Sequence, residues 1–375
     1  MHIGTRMKVA LIVGAVFLLL GNGFIMYKNQ QTEWRKYQQD YLTLAIEKTT
    51  DPVTRQVLEE RSPRIEQIVS TGFGEERVDR CMTCHAGIDD ERFADAPQPF
   101  RTHPKIAGNH PYRTFGCTTC HDGNGRGLET VDAHGEGKYW MEPLLRGDYI
   151  ESGCAKCHGY NLAATPKLQR GAELFFTKAC YGCHKVEGMS DGKLGVELTR
   201  VGAKWPLGYL EESIVFPRAN NFESMMPKME VTQDEVKSLV IFLKSLTGEN
   251  LIKGPVERYY ALKEWRATQP AEVEVTVESG KQVFKNKHCN ACHVINGVGA
   301  KIGPDLSVYG LQRTKEWMIQ HHINPRSVVG GSVMPDFKYS KTELEALAVY
   351  LESLKTLEVD NAIVYAISDT VVVNK

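Results

Sequence analysis

All ten cysteines of the 375-residue chain fall in five copies of one pattern, Cys-x-x-Cys-His, and none is left over. No other feature constrains the chain as strongly, because each copy sets two thiols at a short fixed spacing and places an imidazole directly after them. The copies are Cys81, Cys84 and His85; Cys117, Cys120 and His121; Cys154, Cys157 and His158; Cys180, Cys183 and His184; and Cys289, Cys292 and His293.

This pattern is the attachment signature of haem c. Its two thiols add to the vinyl groups of one haem, and the adjacent histidine becomes the proximal ligand of the iron. Zinc sites and redox disulfides also use paired cysteines, but neither needs a histidine after every pair. The sequence therefore predicts five covalently bound haems and electron transport as the function.

The N-terminal part of the chain predicts a membrane anchor. Residues 9–27 carry no charge over 19 positions, which is long enough for a helix to cross a bilayer. The alternative is a cleaved signal peptide with Arg6 and Lys8 as its basic start, although no small-residue cleavage site follows the apolar run. Because haem c is attached outside the cytoplasm, we expect residues 1–28 to sit in the inner membrane and the haem domains to lie in the periplasm.

Two segments of different character follow the anchor. Residues 29–70 are polar with apolar positions at helical spacing, which predicts a helical stalk or, alternatively, a docking helix for a partner protein. Residues 71–165 hold three of the five motifs and are rich in Gly, Pro, His and Asp. Such a stretch cannot bury an ordinary apolar core, so we expect a trihaem module whose centre is formed by the haems.

The second half of the chain contains an internal duplication. Residues 166–249 and 277–355 share one order: a helix, the motif, a long loop with a Met-Pro pair, and an amphipathic closing helix. Residues 250–276 connect the two units. The tail, residues 356–375, alternates β-branched side chains and predicts a strand. The predicted fold is therefore mainly α.

The two repeated units resemble class I cytochrome c domains in this order of elements. The resemblance implies that Met226 and Met334, each followed by proline, are the distal ligands of the fourth and fifth haem irons. Met225 and Met229 are further candidates at the fourth iron, whereas Met318 lies on a predicted helix and is expected in the core.

The same resemblance implies a supporting carbonyl for each proximal histidine. In class I domains the carbonyl of the proline in a Gly-Pro-Asp-Leu stretch has this role, and residues 303–306 carry that stretch here. The first unit departs from the pattern with Gly-Val-Glu-Leu at residues 195–198, where we expect another backbone carbonyl to serve.

Residues 71–165 look like multihaem cytochromes in which two histidines ligate each iron. His103, His110 and His134 are the spare histidines of this segment, and their number matches three missing distal ligands. Surface or propionate-binding roles are the alternatives, Met141 is a reserve ligand, and the pairing of histidine with iron stays open. The remaining histidines after the anchor are expected mainly at the surface: His288, His321 and His322.

The whole arrangement is similar to the cytochrome c subunits of bacterial cytochrome b and Rieske-type quinol-oxidising complexes. This similarity implies that the chain accepts electrons from such a membrane complex and passes them to a periplasmic or membrane acceptor of the respiratory chain. The alternatives are a multihaem reductase or peroxidase with one open iron, and a structural subunit. A net charge of −1 suggests no nucleic-acid partner, and we identify no catalytic residues.

Overall fold

The computed structural model is mainly helical with few strands, which confirms the predicted fold class. It forms two compact units, Met1–Arg146 and Gly147–Lys375. The predicted connector lies outside the described residues except for its last five positions. The structure describes residues 4–70, 76–104, 110–137, 140, 142–248, 272–335, 337–359, 362–367 and 370–374.

The first helix, α1 (Thr5–Gln30), contains the whole predicted apolar run. All of its side chains are exposed, and Phe17 and Leu19 are each exposed by more than 70 %. A helix of this length and apolar surface suits a membrane span, and a signal sequence would have the same character.

The predicted stalk, residues 29–70, is helical only as far as Glu59, and its last three residues form a strand. The helical part consists of α2 (Glu33–Lys48) and α3 (Pro52–Glu59), and the Asp51 carboxylate caps α3 by accepting a hydrogen bond from the Thr54 amide at 2.8 Å. One face of α2 is buried inside the same unit, in an apolar cluster around the first motif. The buried members of that cluster are Tyr41, Ala45, Leu58, Phe93, Ala96 and Phe100.

The rest of the first unit is built from short elements. Strands β1 (Ile68–Ser70) and β2 (Arg77–Asp79) pair antiparallel, and β2 leads directly into the first motif. The buried apolar cluster reaches only the part near α2, which agrees with the expectation of a loop-rich module. The short helices are Cys81–Thr83, Glu91–Phe93, Tyr112–Phe115, Thr118–His121 and Thr130–Ala133.

The third motif belongs to the second unit, so the structural division differs from the predicted module boundary at residue 165. Short helices Gly147–Ile150 and Glu151–Cys154 lead into this motif. Ala155 and Tyr160 are buried, and the Tyr160 ring lies 5.2 Å from the Phe242 ring, measured between centroids. The third motif therefore shares an apolar core with the helices that follow it.

Two helix crossings of the same construction form the cores of the two class I units. In the first unit, a Cβ added to Gly171 in α4 (Pro166–Thr177) would lie 2.0 Å from the carbonyl oxygen of Ser238 in α6 (Gln233–Ser245). In the second unit, a Cβ added to Gly280 in α7 (Val277–Asn286) would lie 2.0 Å from the carbonyl oxygen of Ala346 in α9 (Lys341–Ser353). Backbones this close exclude any side chain at the crossing. The long helices of this second unit are α4 (Pro166–Thr177), α5 (Leu207–Val215), α6 (Gln233–Ser245), α7 (Val277–Asn286), α8 (Lys315–Ile323) and α9 (Lys341–Ser353).

The smaller elements of the two class I units also correspond. A hairpin with strands of two residues follows each motif. Each closing helix begins with a capping box, Thr232 with Glu235 and Ser340 with Glu343. These pairs support the predicted duplication. The hairpin strands are β3 (Lys185–Val186), β4 (Ser190–Asp191), β5 (Val294–Ile295) and β6 (Val298–Gly299), and the short helices are Cys180–Cys183, Val201–Lys204, Pro217–Asn220, Cys289–Ala291, Tyr309–Leu311 and Pro325–Val328.

The tail forms strands, as predicted, and it forms three of them. Strands β7 (Thr356–Val359), β8 (Ala362–Ile367) and β9 (Thr370–Asn374) pair antiparallel in chain order. Its alternating β-branched residues account for the strand preference.

Candidate haem-binding sites

Each of the five motifs closes one helical turn. In every copy the histidine amide donates a hydrogen bond to the carbonyl oxygen of the first cysteine, with N–O distances between 2.9 and 3.0 Å. Residues four apart lie on the same side of a helical turn. The local backbone therefore brings the first thiol and the imidazole of each copy together before any cofactor is considered.

In the two class I units, a backbone carbonyl fixes the proximal imidazole. His184 donates its Nδ1–H to the Val196 carbonyl at 2.9 Å, and His293 donates to the Pro304 carbonyl at 2.8 Å. A carbonyl oxygen only accepts hydrogen bonds, so Nδ1 carries the proton and Nε2 keeps a lone pair for a metal. This confirms the expected role of Pro304 and gives the same role to Val196, despite the departure from Gly-Pro-Asp-Leu.

A glycine lies against the same two imidazoles. A Cβ added to Gly195 would lie 2.5 Å from His184 Cε1, and one added to Gly303 would lie 2.6 Å from His293 Cε1. These approaches leave no space for a larger residue beside the ring. The carbonyl and the glycine together fix the direction in which Nε2 points.

The first two motifs follow the same rule with other carbonyls. The Nδ1 of His85 lies 3.0 Å from the Pro99 oxygen, and that of His121 lies 3.4 Å from the Leu145 oxygen. Burial lowers the pKa of both histidines, as it does for His184. These environments favour the neutral imidazole, which is the form that binds iron.

The two predicted methionine ligands occupy matching turns. The amide of Met226 donates to Ser224 Oγ at 3.2 Å, and the amide of Met334 donates to Ser332 Oγ at 3.2 Å. Met226 is therefore the structural counterpart of Met334, which supports it over its neighbours as the ligand at the fourth iron. Met318 is fully buried, as expected for a core residue.

A groove of about 1000 Å³ in the second unit has the chemistry of a haem site. Its lining includes the apolar side chains of Met225, Met226 and Phe216, together with Asn290 of the fifth motif. Two glutamates, Glu230 and Glu235, also line it. Haem is flat and apolar and carries two carboxylates, which suits this combination of apolar and cationic side chains. The cationic residues that line the groove are Arg170, Lys178, Arg218, Lys228 and Lys285.

The fourth motif packs against the loop that follows Met334. The Tyr181 hydroxyl accepts a hydrogen bond from the Lys338 amide at 3.0 Å. A Cβ on Gly182 would lie 2.4 Å from Phe337 Cε1. The two class I units are thus in direct contact at their predicted haem-binding segments.

Two of the three spare histidines of the first unit stand beside proximal histidines. The ring centroids of His134 and His85 are 6.5 Å apart, and those of His103 and His121 are 6.1 Å apart. The third, His110, has its ring 5.8 Å from Phe115. The reserve ligand Met141 lies outside the described residues.

Sequence reasoning missed a buried carboxylate between the first two motifs. Asp79 is only 1 % exposed, and it accepts hydrogen bonds from the amides of Cys117 and Thr118 at 3.0 and 3.2 Å. Its Oδ1 also lies 3.8 Å from Cys81 Sγ. The residue connects the start of one motif to the start of the next, and only its position two residues before Cys81 hints at this.

The expected surface position of the remaining histidines is wrong for His322. This side chain is 8 % exposed and donates Nδ1–H to the Met318 carbonyl at 2.7 Å, and burial lowers its pKa to about 4. His288 is partly buried and has a left-handed backbone with φ of 54°, like Ala179 at the matching position with φ of 57°. The backbone therefore turns in the same way before the fourth and fifth motifs.

Two family models match separate parts of the chain. The "Cytochrome c" family matches residues 168–247, and "Cytochrome C oxidase, mono-heme subunit/FixO" matches residues 298–370. The first match falls within the first repeated unit, whereas the second begins after the fifth motif and continues into the tail. Cytochrome c domains bind haem c covalently, so haem c is a cofactor of this chain.

Curated relatives align with this chain over only part of their own length. Cytochrome c oxidase subunit 2 of Alkalihalophilus pseudofirmus is 34 % identical over 107 residues, which are 25 % of this chain and 31 % of the relative. CcoP of the Cbb3-type cytochrome c oxidase of Helicobacter pylori is 25 % identical over 140 residues, covering 36 % of this chain and 40 % of the relative. The C subunit of nitric oxide reductase from Stutzerimonas stutzeri is 28 % identical over 91 residues, covering 23 % and 62 %.

The chain thus spans less than two thirds of the length of each of these relatives. All three are subunits of oxidases or reductases. Together with the N-terminal apolar helix, the comparisons support a membrane-anchored c-type cytochrome of electron transport.

Proposed function

We propose that this chain is a membrane-anchored cytochrome with five covalently bound haems, which passes electrons from a quinol-oxidising membrane complex to a periplasmic or membrane acceptor. The observation that carries the proposal is the shared construction of the proximal sites. At His85, His121, His184 and His293, Nδ1 lies near a backbone carbonyl, and this arrangement prepares Nε2 for iron. Each bound haem supplies one reversible electron step.

The distal ligands give the electron path a direction. Met226 and Met334 are the proposed thioether ligands, and such ligands raise the reduction potential of an iron. His103, His110 and His134 are the proposed ligands of the first three irons, where a second imidazole keeps the potential lower. Electrons would therefore enter at the histidine-ligated haems and leave through the class I units.

The protein's own contacts favour transfer between the two class I units without any rearrangement. The hydrogen bond from the Lys338 amide to Tyr181, together with the Phe337 contact at Gly182, keeps the fourth motif beside the loop that carries Met334. Short fixed separations suit electron transfer because no diffusion step is needed.

The exposed apolar helix α1 supports an inner-membrane anchor with the haem domains in the periplasm. The names of the relatives support a partner that is itself a membrane redox complex. A cytochrome b and Rieske-type complex is the partner we propose first. A cytochrome c oxidase or a nitric oxide reductase is the second candidate, since the relatives are subunits of such complexes.

An enzymatic role is the alternative function, and the position of His110 favours it. His110 lies beside Phe115, whereas the other two spare histidines lie beside proximal histidines. A haem iron that lacks a distal histidine is open to a small substrate.

The full chain, produced with haem maturation and purified in mild detergent, tests these statements. Intact mass and haem content should give five haems per chain, and a redox titration should place three haems below two. The co-purified proteins identify the partner class. Fewer than five haems, or recovery only as a lone monomer, would contradict the proposal. Carbon monoxide binding to one reduced haem of the wild-type protein would favour the enzymatic alternative.

A further inference from the structure

We infer that the first two irons are ligated crosswise: His134 completes the site of His85, and His103 completes the site of His121. This inference rests on the proposed haem content and adds the pairing that the sequence leaves open. His103 lies midway in the sequence between His85 and His121, so sequence separation alone does not decide which of the two it joins. The structure places it beside His121.

The ring separations carry the inference. A metal–imidazole bond is about 2.0–2.1 Å for zinc and similar for iron, and the ring centre lies about 1 Å behind its nitrogen. Two imidazoles on opposite sides of one metal therefore have centroids about 6 to 6.5 Å apart. The observed separations are 6.5 Å for His85 with His134 and 6.1 Å for His121 with His103.

The ring nitrogens of the second pair are arranged for coordination. His103 donates Nδ1–H to the Pro104 carbonyl at 2.7 Å, and His121 has the Leu145 carbonyl on its Nδ1 side. Both rings therefore keep Nε2 as the nitrogen with a free lone pair. The carbonyl partner of His103 has the same role as those of the proximal histidines.

In the pair of His85 and His134, ligation requires one change in the hydrogen bonding of His134. His85 has the Pro99 carbonyl on its Nδ1, whereas His134 Nδ1 lies 3.2 Å from an Arg146 nitrogen. Ligation through Nε2 leaves Nδ1–H to donate, so Arg146 has to yield to an acceptor. Glu136 is the acceptor at hand, because its carboxylate lies 3.3 Å from the same exposed arginine.

The position of Asp79 makes crosswise ligation possible. One of its oxygens accepts from the Cys117 amide and the other lies near Cys81 Sγ, so the two attachment segments start side by side. A histidine from the loop of one motif can then reach the haem of the other. Each of the two loops would thereby be fixed by the neighbouring haem.

Carbon monoxide titration of the reduced full chain tests the pairing, since a haem that loses its distal ligand gains a binding site. His103→Ala and His134→Ala should each bind one more carbon monoxide per chain than the wild type. With Cys117→Ala and Cys120→Ala, which remove the second haem, His103→Ala should add no site. With Cys81→Ala and Cys84→Ala, it should still add one. His134→Ala should add no site when the first haem is removed, and it should still add one when the second haem is removed.

His110→Ala, combined with Cys154→Ala and Cys157→Ala, is the matched control and should add no site. An added site there would assign His110 to one of the first two irons and overturn the pairing. The reverse dependence on the cysteine variants would show ligation in chain order, and no added site in any variant would exclude both histidines. These results leave the proposed function intact as long as the unaltered chain carries five haems.

Where a cysteine variant fails to fold, paired histidine variants answer the same question. His85→Ala with His134→Ala should open one iron, because both ligands belong to the same haem. His85→Ala with His103→Ala should open two. Two open irons in the His85→Ala, His134→Ala variant would overturn the inference. So would a single open iron in the His85→Ala, His103→Ala variant.

Discussion

Each proximal histidine of the class I units is held on two sides by the backbone of one short loop. For His293 these are the Pro304 carbonyl and Gly303, and for His184 they are the Val196 carbonyl and Gly195. The loop therefore fixes both the proton and the plane of the imidazole. Proline is not required for this, since Val196 provides the carbonyl equally well.

Gly195→Ala and Gly303→Ala should each disturb one haem. The added Cβ has to displace the imidazole or the loop, so we expect a loss of about 1–3 kcal/mol in stability and a lowered reduction potential at that haem. Thermal unfolding and redox titration measure both. Gly208→Ala in α5 is the control, because its Cα has open space among the described residues. Equal behaviour of Gly195→Ala and Gly208→Ala would contradict the steric argument.

Asp79→Ala should destabilise the first unit. It leaves the partly buried amides of Cys117 and Thr118 without their acceptor, at a cost of up to about 1–3 kcal/mol for each unsatisfied group. Asp79→Asn keeps one carbonyl oxygen of the same shape and should lose less. Guanidinium unfolding of the haem-loaded chain measures the order wild type, Asn, Ala. An alanine variant as stable as the wild type would show that Asp79 is dispensable.

At the scale of elements, α2 is joined to the loop after the second motif by a carboxylate. Glu33 Oε2 accepts from the Thr130 amide at 2.6 Å, and Oε1 accepts from the Thr130 hydroxyl at 2.8 Å. The bond from the Thr130 amide is the main reason that the pKa of Glu33 is lowered from its ordinary value of 4.5. The carboxylate form is therefore favoured by the folded structure.

This contact should weaken in acid. Because the pKa of Glu33 is lower when folded than when unfolded, its contribution is complete above about pH 4.5 and disappears as the pH falls through the folded value. Amide protection factors in α2, which correct for the slower intrinsic exchange in acid, should decrease over that range in the wild type. Glu33→Gln should exchange faster at neutral pH and show a smaller change in acid. Parallel curves for the two proteins would contradict this.

The sequence predicts the elements of the class I units well because their signals are local. The capping box at Thr232 and the apolar period of the closing helix require no knowledge of distant residues. The placement of the third motif was not predictable in this way. It depends on the contact of Tyr160 with Phe242, which joins residues far apart in the chain.

The candidate sites show the same limit. The motifs name the attachment cysteines and the proximal histidines, and the Met-Pro pairs name Met226 and Met334. The sequence order does not predict that His103 lies beside His121, because the loop between them has to fold back to bring the two rings together. Asp79 was missed for the same reason.

At the scale of the molecule, α1 stands apart from the cores of the described structure. Replacing residues 1–28 by a cleaved secretory signal should release the haem protein into the soluble fraction. Its visible spectrum and potentials should match those of the full chain, because α1 contributes no buried side chain. The full chain, extracted only by detergent, is the control. A truncated protein that still sediments with membranes would indicate a second membrane contact.

The contact between the two class I units has a consequence for how they unfold. Tyr181 of the first unit lies against Phe337 of the second, with ring centroids 6.2 Å apart, and Phe337 is buried in the apolar core of the first unit. Separating the two units would expose both rings to water and break the hydrogen bond from the Lys338 amide to the Tyr181 hydroxyl. The two haem-binding units should therefore unfold in one cooperative step and not as independent domains.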